Sequence, residues 1–351
     1  MRTRVAAAAV GVLLLALVAV VAWRVVGAQS EYERALSLAP SDTLRATYTD
    51  WASVRDAAGG TALGRSASRQ QVRAFLDRAY DRDLLVASGV DESTYALQRH
   101  YGFSPLQARW ELLGQGPAGQ VGVLRLDDDV DLAGVERSLQ RLGYADEGDG
   151  TWLGTADLVA GIDGELSPVQ QNLVVLPDEQ LVLMSDSGDY VQAAADVVRR
   201  GARSLLDVEG VSRMAAAAGD PVIATLWAST FACEDLRMGQ ADEEDQRVAD
   251  RLVREAGGLH PLLGMVMARQ EGGRVVVAMN YETEEQAADD LQSRVDLAAG
   301  EAPGQGGSYT DRFTVTDGRS TGRLVVLTLR PEPGADLLGD LGHGPVLFAA
   351  C

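Results

Sequence analysis

Asp42-Thr-Leu-Arg-Ala-Thr-Tyr-Thr-Asp-Trp51 alternates apolar Leu44, Ala46 and Tyr48 with polar neighbours, the period of a half-buried strand. Asp220-Pro-Val-Ile-Ala-Thr-Leu-Trp227 repeats its outline, with an aspartate at the start, Ala224-Thr225 in place of Ala46-Thr47, and a closing tryptophan. Outward from these two stretches the same order recurs. The strand Gln120-Val-Gly-Val-Leu-Arg-Leu126 matches Arg274-Val-Val-Val-Ala-Met279. The helical spacing of Leu132 to Leu142 matches a helix capped by Thr283-Glu-Glu-Gln286, whose Leu291-Gln292 echoes Leu139-Gln140. Leu173-Val-Val-Leu176 matches Arg323-Leu-Val-Val-Leu-Thr-Leu329. This order predicts an α+β fold of mixed, mainly antiparallel sheets with packed helices, built as two divergent halves, 42–205 and 206–351. The offset between matched positions drifts, which requires insertions in the first half.

Other elements fill in around this frame. Leu173–Leu176 and Leu181–Met184 flank Pro177-Asp-Glu-Gln180, whose proline presets a hairpin turn. A turn at Gly59-Gly60 precedes Gln70 to Leu85, where Val72, Phe75, Leu76 and Tyr80 fall on one helical face. Ser104-Pro-Leu-Gln107 has the form of a capping box with proline at the first helical position, predicting a short helix that ends near Trp110. Tyr190 to Val198 resumes helical spacing. The last residues, Gly344-Pro-Val-Leu-Phe-Ala-Ala-Cys351, resemble the segment after Asp220 and predict a terminal strand beside its counterpart.

Before the folded part, Val5 to Trp23 is an uncharged, mostly aliphatic run between Arg4 and Arg24. As a helix it spans about 28 Å, close to the hydrocarbon thickness of a bilayer. The run is too long for a signal-peptide core, so residues 1–28 read as an uncleaved signal anchor with a transmembrane helix over about 5–23. A cut after Val26-Gly-Ala28 is the competing expectation. The basic start Met1-Arg-Thr-Arg4 against acidic Glu31 and Glu33 orients the N-terminus to the cytoplasm and the rest outside the cell membrane. Residues 29–41, with helical spacing over Glu31 to Leu38, read as a stalk.

Composition bounds the chemistry. The chain has 31 basic residues, all arginine, against 51 acidic ones, a net charge of −20. Such a surface disfavours nucleic acid and stands off anionic lipid head groups. Without lysine there is no Schiff-base, pyridoxal phosphate or P-loop lysine chemistry. Only Cys233 and Cys351 are present, both in the external region, where oxidising conditions favour a disulfide that would pin the C-terminus. Closing so long a loop stabilises by about 4–5 kcal/mol. Two separate buried thiols, or a nucleophilic or metal-binding role, are the alternatives.

The local motifs read as structure. Gly114-Gln-Gly-Pro-Ala-Gly119 satisfies G-x-G-x-x-G but leads into a strand, so a strand-to-strand turn is expected in place of a nucleotide loop. Asp127-Asp-Asp-Val-Asp131 lacks the glycine and glutamate register of a calcium loop and suits a helix N-terminus. Asp146-Glu-Gly-Asp-Gly150 reads as a solvated turn and Asp242-Glu-Glu-Asp245 as an exposed helix face. His100, His260 and His343 have no metal-like partner at helical spacing. Trp51 and Trp227, which close the matched strands, are expected in the core. No catalytic, cofactor or metal residue is assigned.

The anchor, the Asp42–Trp51 strand, Trp110-Glu-Leu-Leu-Gly114 and the Leu173–Asp186 hairpin together resemble uncharacterised membrane-anchored proteins of high-GC actinobacteria. The resemblance implies an envelope location and brings no known activity. The functional expectation is therefore a membrane-tethered, non-enzymatic module that binds an envelope protein or wall component. The alternatives are a wall-acting hydrolase using a carboxylate pair and a cation- or small-ligand-binding domain. A cleft holding two acids with raised pKa values separates the hydrolase from the rest.

Overall fold

The structure, a computed structural model, describes residues 29–342 and 344–351. Its strands are Arg45–Thr49 (β1), Ala108–Gly116 (β2), Gly119–Leu126 (β3), Ala145–Gly148 (β4), Thr151–Leu153 (β5), Asn172–Leu176 (β6), Leu181–Ser185 (β7), Ile223–Ala228 (β8), Gly264–Arg269 (β9), Val275–Asn280 (β10), Phe313–Thr321 (β11) and Leu324–Pro331 (β12). All twelve join one sheet in the order β11-β12-β10-β9-β8-β1-β2-β3-β7-β6-β5-β4, every neighbouring pair antiparallel.

The two stretches that echo each other in sequence meet at the sheet's centre. β1 pairs with β8, and Thr47 stands directly opposite Thr225. Outward from that seam one side runs β1-β2-β3-β7 and the other β8-β9-β10-β12. Arg323–Leu329 therefore sits in the place of Leu181–Ser185, not of the Leu173 strand to which its sequence was matched. The two hairpin strands are alike in composition, and only the pairing partner, β3 or β10, distinguishes them.

Both faces of the sheet are covered, which explains why its strands read as continuous apolar runs. In β10, Val275, Val277 and Met279 pack on one side, while Val276 and Ala278 pack on the other. Over the first face lie the helices Arg69–Tyr80, Leu132–Leu142, Glu243–Glu255 and Glu284–Ala298. Over the second lie Glu31–Leu36, Gly188–Arg200 and Val211–Ala218. Thr283 caps the helix Glu284–Ala298 in a reciprocal box with Gln286, as its sequence predicts.

Three expectations need correction. Residues 29–41 do not stand free as a stalk, because Tyr32, Ala35, Leu36 and Ala39 are buried against the sheet and Trp110 donates to Glu31 at 2.7 Å. The segment after Ser104 makes only a 3-10 turn, Pro105–Gln107, before entering β2; Trp110 is a strand residue of β2, paired with Arg125 of β3. The C-terminal residues do not add a strand either. They form a 3-10 turn, Leu347–Ala349, whose carbonyls are taken up by a buried arginine.

Cys233 and Cys351 are nevertheless joined as a disulfide, with Cα atoms 5.6 Å apart and a sequence separation of 118. Among the described residues no helix is long and apolar enough to cross a membrane. The anchor expected over residues 1–28 lies outside the described residues, as does His343.

Candidate functional site

A groove of about 1160 Å³ opens at one end of the central strands. The helix Trp51–Ala57 contributes Ser53 and Asp56, and the loop after Tyr80 contributes Asp81 and Arg82. The β9–β10 turn supplies Arg269, Glu271 and Arg274, with Gly272 and Gly273 at φ +81° and +88° taking the left-handed positions the turn needs. Thr316 of β11, Thr328 and Arg330 of β12, and the segment from Pro331 to Ala335 close the far wall. The lining brings four arginines, Arg82, Arg269, Arg274 and Arg330, against four acids, Asp56, Asp81, Glu271 and Glu332. Arg269 reaches Asp83 at 3.1 Å, whereas Arg274 and Arg330 are exposed and have no ion-pair partner among the described residues.

These residues come from five separated places in the chain, and none belongs to a motif. Proximity alone makes the site, so no local signal in the sequence could have found it.

The residues that sequence reasoning singled out are placed elsewhere. Gly114 to Gly119 forms the β2–β3 turn; Gly119, at φ +142°, lies so close to Asp186 that a Cβ there would meet its Oδ1 at 2.9 Å. Asp131 caps the helix Leu132–Leu142 by accepting from Gly134 N at 3.0 Å, and Asp127 and Asp128 pair with Arg55 at 3.4 Å and Arg125 at 2.7 Å. Asp146 to Gly148 lies in exposed β4, and Asp242 caps Glu243–Glu255. His100 and His260 each face one aspartate, Asp163 at 3.3 Å and Asp290 at 2.7 Å. Among the described residues no group of three or more His, Cys, Asp or Glu is placed to hold a metal ion.

Trp51 and Trp227 are fully buried, and each indole N–H ends on an acid. Trp51 donates to Glu111 at 3.1 Å and Trp227 to Asp235 at 2.6 Å. Glu111 also accepts from Ser88 Oγ at 2.6 Å and Gly89 N at 2.7 Å, so one carboxylate ties β2, the helix Trp51–Ala57 and the loop before Thr94. Burial raises Glu111 to about 7, opposed by those donors. Burial likewise raises Asp91, whose carboxylate accepts from Tyr80, and Asp83.

These three acids are 8% exposed or less and none lines the groove. The cleft with two raised acids that a carboxylate-pair hydrolase needs is not where they lie.

Glu111→Gln tests the structural role. An amide nitrogen must replace one acceptor oxygen and face either Gly89 N–H or the Trp51 indole N–H. The expected cost is about 1–3 kcal/mol in denaturant unfolding at pH 8. A change within 0.3 kcal/mol of zero would contradict the assignment.

No family model matches the chain, and no curated protein matches it. It is similar to a solved structure titled "Structure of crystal form I of TP0453", at 7% identity and a TM-score of 0.34 over 88% of this chain and 96% of that one. A likeness at that level carries neither fold nor function across.

Proposed function

We propose that the chain is a single-pass protein of the cell membrane, its N-terminus cytoplasmic and its C-terminal domain extracytoplasmic, and that this domain is a non-enzymatic module holding an envelope protein in the groove. The tether is supported by the apolar run Val5 to Trp23 between Arg4 and Arg24, and the outside location by the Cys233–Cys351 disulfide. The two α+β halves, 42–205 and 206–351, are read as divergent copies, supported by the echoed stretches lying side by side at the seam.

The observation that carries the binding reading is charge balance. A chain of net charge −20 has a groove whose lining holds as many arginines as acids, with Arg274 and Arg330 left without carboxylate partners among the described residues. A polyanion would meet four acids there, and a polycation four arginines. A protein surface or extended segment bearing both signs satisfies the lining, with arginine forks taking its carboxylates.

The test is photo-cross-linking in the protein's own cells, with the full-length chain carrying a photoreactive residue at Thr328 in the groove or at Arg200, on the helix that packs against β3, β6 and β7 in the other half of the sheet. The expected result is one discrete adduct from position 328 and none from 200. Equal labelling from both positions, or release of soluble fragments from wall polymer by the purified full-length protein, would overturn the reading; the latter result would indicate a hydrolase.

A further inference from the structure

The chain enters the domain at the end of the sheet where the groove opens. β1 ends, β8 begins, the β9–β10 turn falls and β12 ends at that same end, because Thr49 stands opposite Ile223, Ile223 opposite Arg269 and Val275 opposite Leu329. β2 also starts there, and its Trp110 donates to Glu31 of the helix Glu31–Leu36. Glu31 lines a depression of about 300 Å³ with Asp50 and Ala52. Asp50 is shared with a second depression of about 350 Å³, whose Ser53, Val222, Gln270, Glu271 and Arg274 also line the groove. The three hollows share lining residues, so one furrow runs from Glu31 to the groove. Along the sheet, β2 and β12 are five strand spacings apart, about 24 Å. The opposite end, marked by the β2–β3 turn at Pro117 and Ala118, lies about 30 Å away along the nine residues of β2.

Sequence sets how far the groove end can stand from the bilayer. On the anchor reading the apolar run ends at Trp23, and residues 24–30 connect it to Glu31. Those seven residues reach at most about 25 Å even when fully extended. Tyr32, Ala35, Leu36 and Ala39 are buried against the sheet, so the residues after Ser30 add no slack. A domain tied so shortly at one end turns that end toward the membrane and the β2–β3 turn away from it.

Charge then decides what can enter. Glu31, Asp50, Asp220 and Glu271 lie along the furrow between the tether and the groove, and these acids repel the phosphates of lipid head groups. Arg274 and Arg330 are exposed and have no ion-pair partner among the described residues, so they call for carboxylates.

We propose that the groove's occupant is the extracytoplasmic juxtamembrane segment of a second membrane protein, a stretch bearing both carboxylates and basic residues, and that the short tether holds the groove where such a segment leaves the bilayer. This deepens the groove reading above and rests on it. The carboxylates pair with Arg274 and Arg330, and the basic residues meet the acidic furrow. Exposed ion pairs are individually weak. Because tether and partner share one membrane, the segment is presented at a high effective concentration, and weak pairs suffice to hold it.

The experiment has a vesicle arm and a cell arm, both with the full-length chain. In phosphatidylcholine vesicles carrying a head-group quencher, a fluorescent residue replacing exposed Glu271 is expected to be quenched and one replacing exposed Ala118 to stay bright. Equal quenching, or stronger quenching at position 118, would overturn the orientation and the proposal built on it. In cells, about twenty residues of Glu-Ala-Ala-Ala-Lys repeats between Ala28 and Gln29 raise the domain by about 30 Å as a helix. The cross-link from Thr328 should then fall about tenfold or more, as the shared-membrane advantage is lost. A Gly-Ser insert of equal length lets the domain return to the bilayer and should restore most of the adduct. The captured protein should have a membrane-spanning segment, with the linked residue within about fifteen positions of it. An adduct that survives the rigid insert, or that maps to a protein without such a segment, would overturn this proposal and leave the groove reading standing. An adduct with lipid or wall polymer, or none from Thr328 in the unlengthened chain, would overturn both.

Discussion

Arg294→Met lowers the unfolding free energy by about 3–5 kcal/mol, the cost of leaving one member of a buried ion pair alone. Arg294 is fully buried in the helix Glu284–Ala298, and all five of its N–H groups have acceptors. Nε donates to Tyr281 OH at 2.8 Å, Nη1 to Phe348 O and Ala350 O, and Nη2 to His260 O at 2.8 Å and Asp290 at 3.2 Å. Methionine fills much of the volume but leaves three carbonyls unpaired and Asp290, 3% exposed, without its guanidinium and with His260 as the remaining ion-pair partner among the described residues. Urea unfolding of the purified full-length chain measures the loss. The double variant Asp290→Leu, Arg294→Met should be less destabilised than Arg294→Met alone, because the orphaned charge is removed. A loss under 1 kcal/mol for Arg294→Met would contradict this account of the tail.

Removing the disulfide has the second large effect. Cys351→Ser costs about 2–5 kcal/mol, since a loop of 118 residues is no longer closed in the unfolded chain. The bridge also holds Phe348, which packs edge-on against Tyr309 at 5.2 Å and Phe313 at 6.1 Å, while Leu347 N donates to Tyr309 OH at 2.9 Å. Arg294 and the disulfide anchor the same short tail, so their losses do not add. The double variant should cost less than the sum of the two single ones, because the tail is already free once either tie is cut. A reduced chain that unfolds at the oxidised midpoint would contradict the role given to the bridge.

Much of the frame was legible because it depends on short-range pattern. Asp42 to Trp51 alternates as a strand, and Asp220 to Trp227 repeats its outline; both form the strands expected of them. Leu132 to Leu142 forms a helix over the range its apolar spacing marks. The hairpin around Pro177 needs only its turn and two apolar runs. Elements decided by distant partners were not legible. Trp110 belongs to β2 because Arg125 of β3 pairs with it, while β1, some sixty residues upstream, takes the strand's other edge from Glu111 onward. Glu31 to Leu36 is helical as expected, but nothing local says that Tyr32 meets Tyr48 at 5.2 Å and closes a core. Pro345 to Ala349 has strand-like residues, yet the carbonyls there turn toward Arg294 instead of toward another strand.

The same distinction separates the two kinds of acid. Asp127 to Asp131 was readable as a charge cluster at a helix N-terminus, and Asp242 to Asp245 as an exposed helix face, though Asp242 in fact caps that helix. Glu111 and Asp83 looked ordinary in sequence. Their properties come from being enclosed: Glu111 by Trp51, Ser88 and Gly89, and Asp83 by Arg269 and by Leu338, more than two hundred residues later. The groove follows this second pattern, drawing Arg82, Arg274 and Arg330 from segments that the chain only brings together once the sheet has formed.

The most direct measurement of the central claim, that this groove holds the domain's partner, is the cross-link from Thr328 in cells carrying Arg274→Glu and Arg330→Glu. Both arginines are exposed and engaged in no ion pair among the described residues, so the double variant should unfold at the wild-type midpoint. The account predicts that the adduct falls at least tenfold, about 1.4 kcal/mol, while the protein remains in the membrane at its usual level. An adduct of undiminished yield would contradict it.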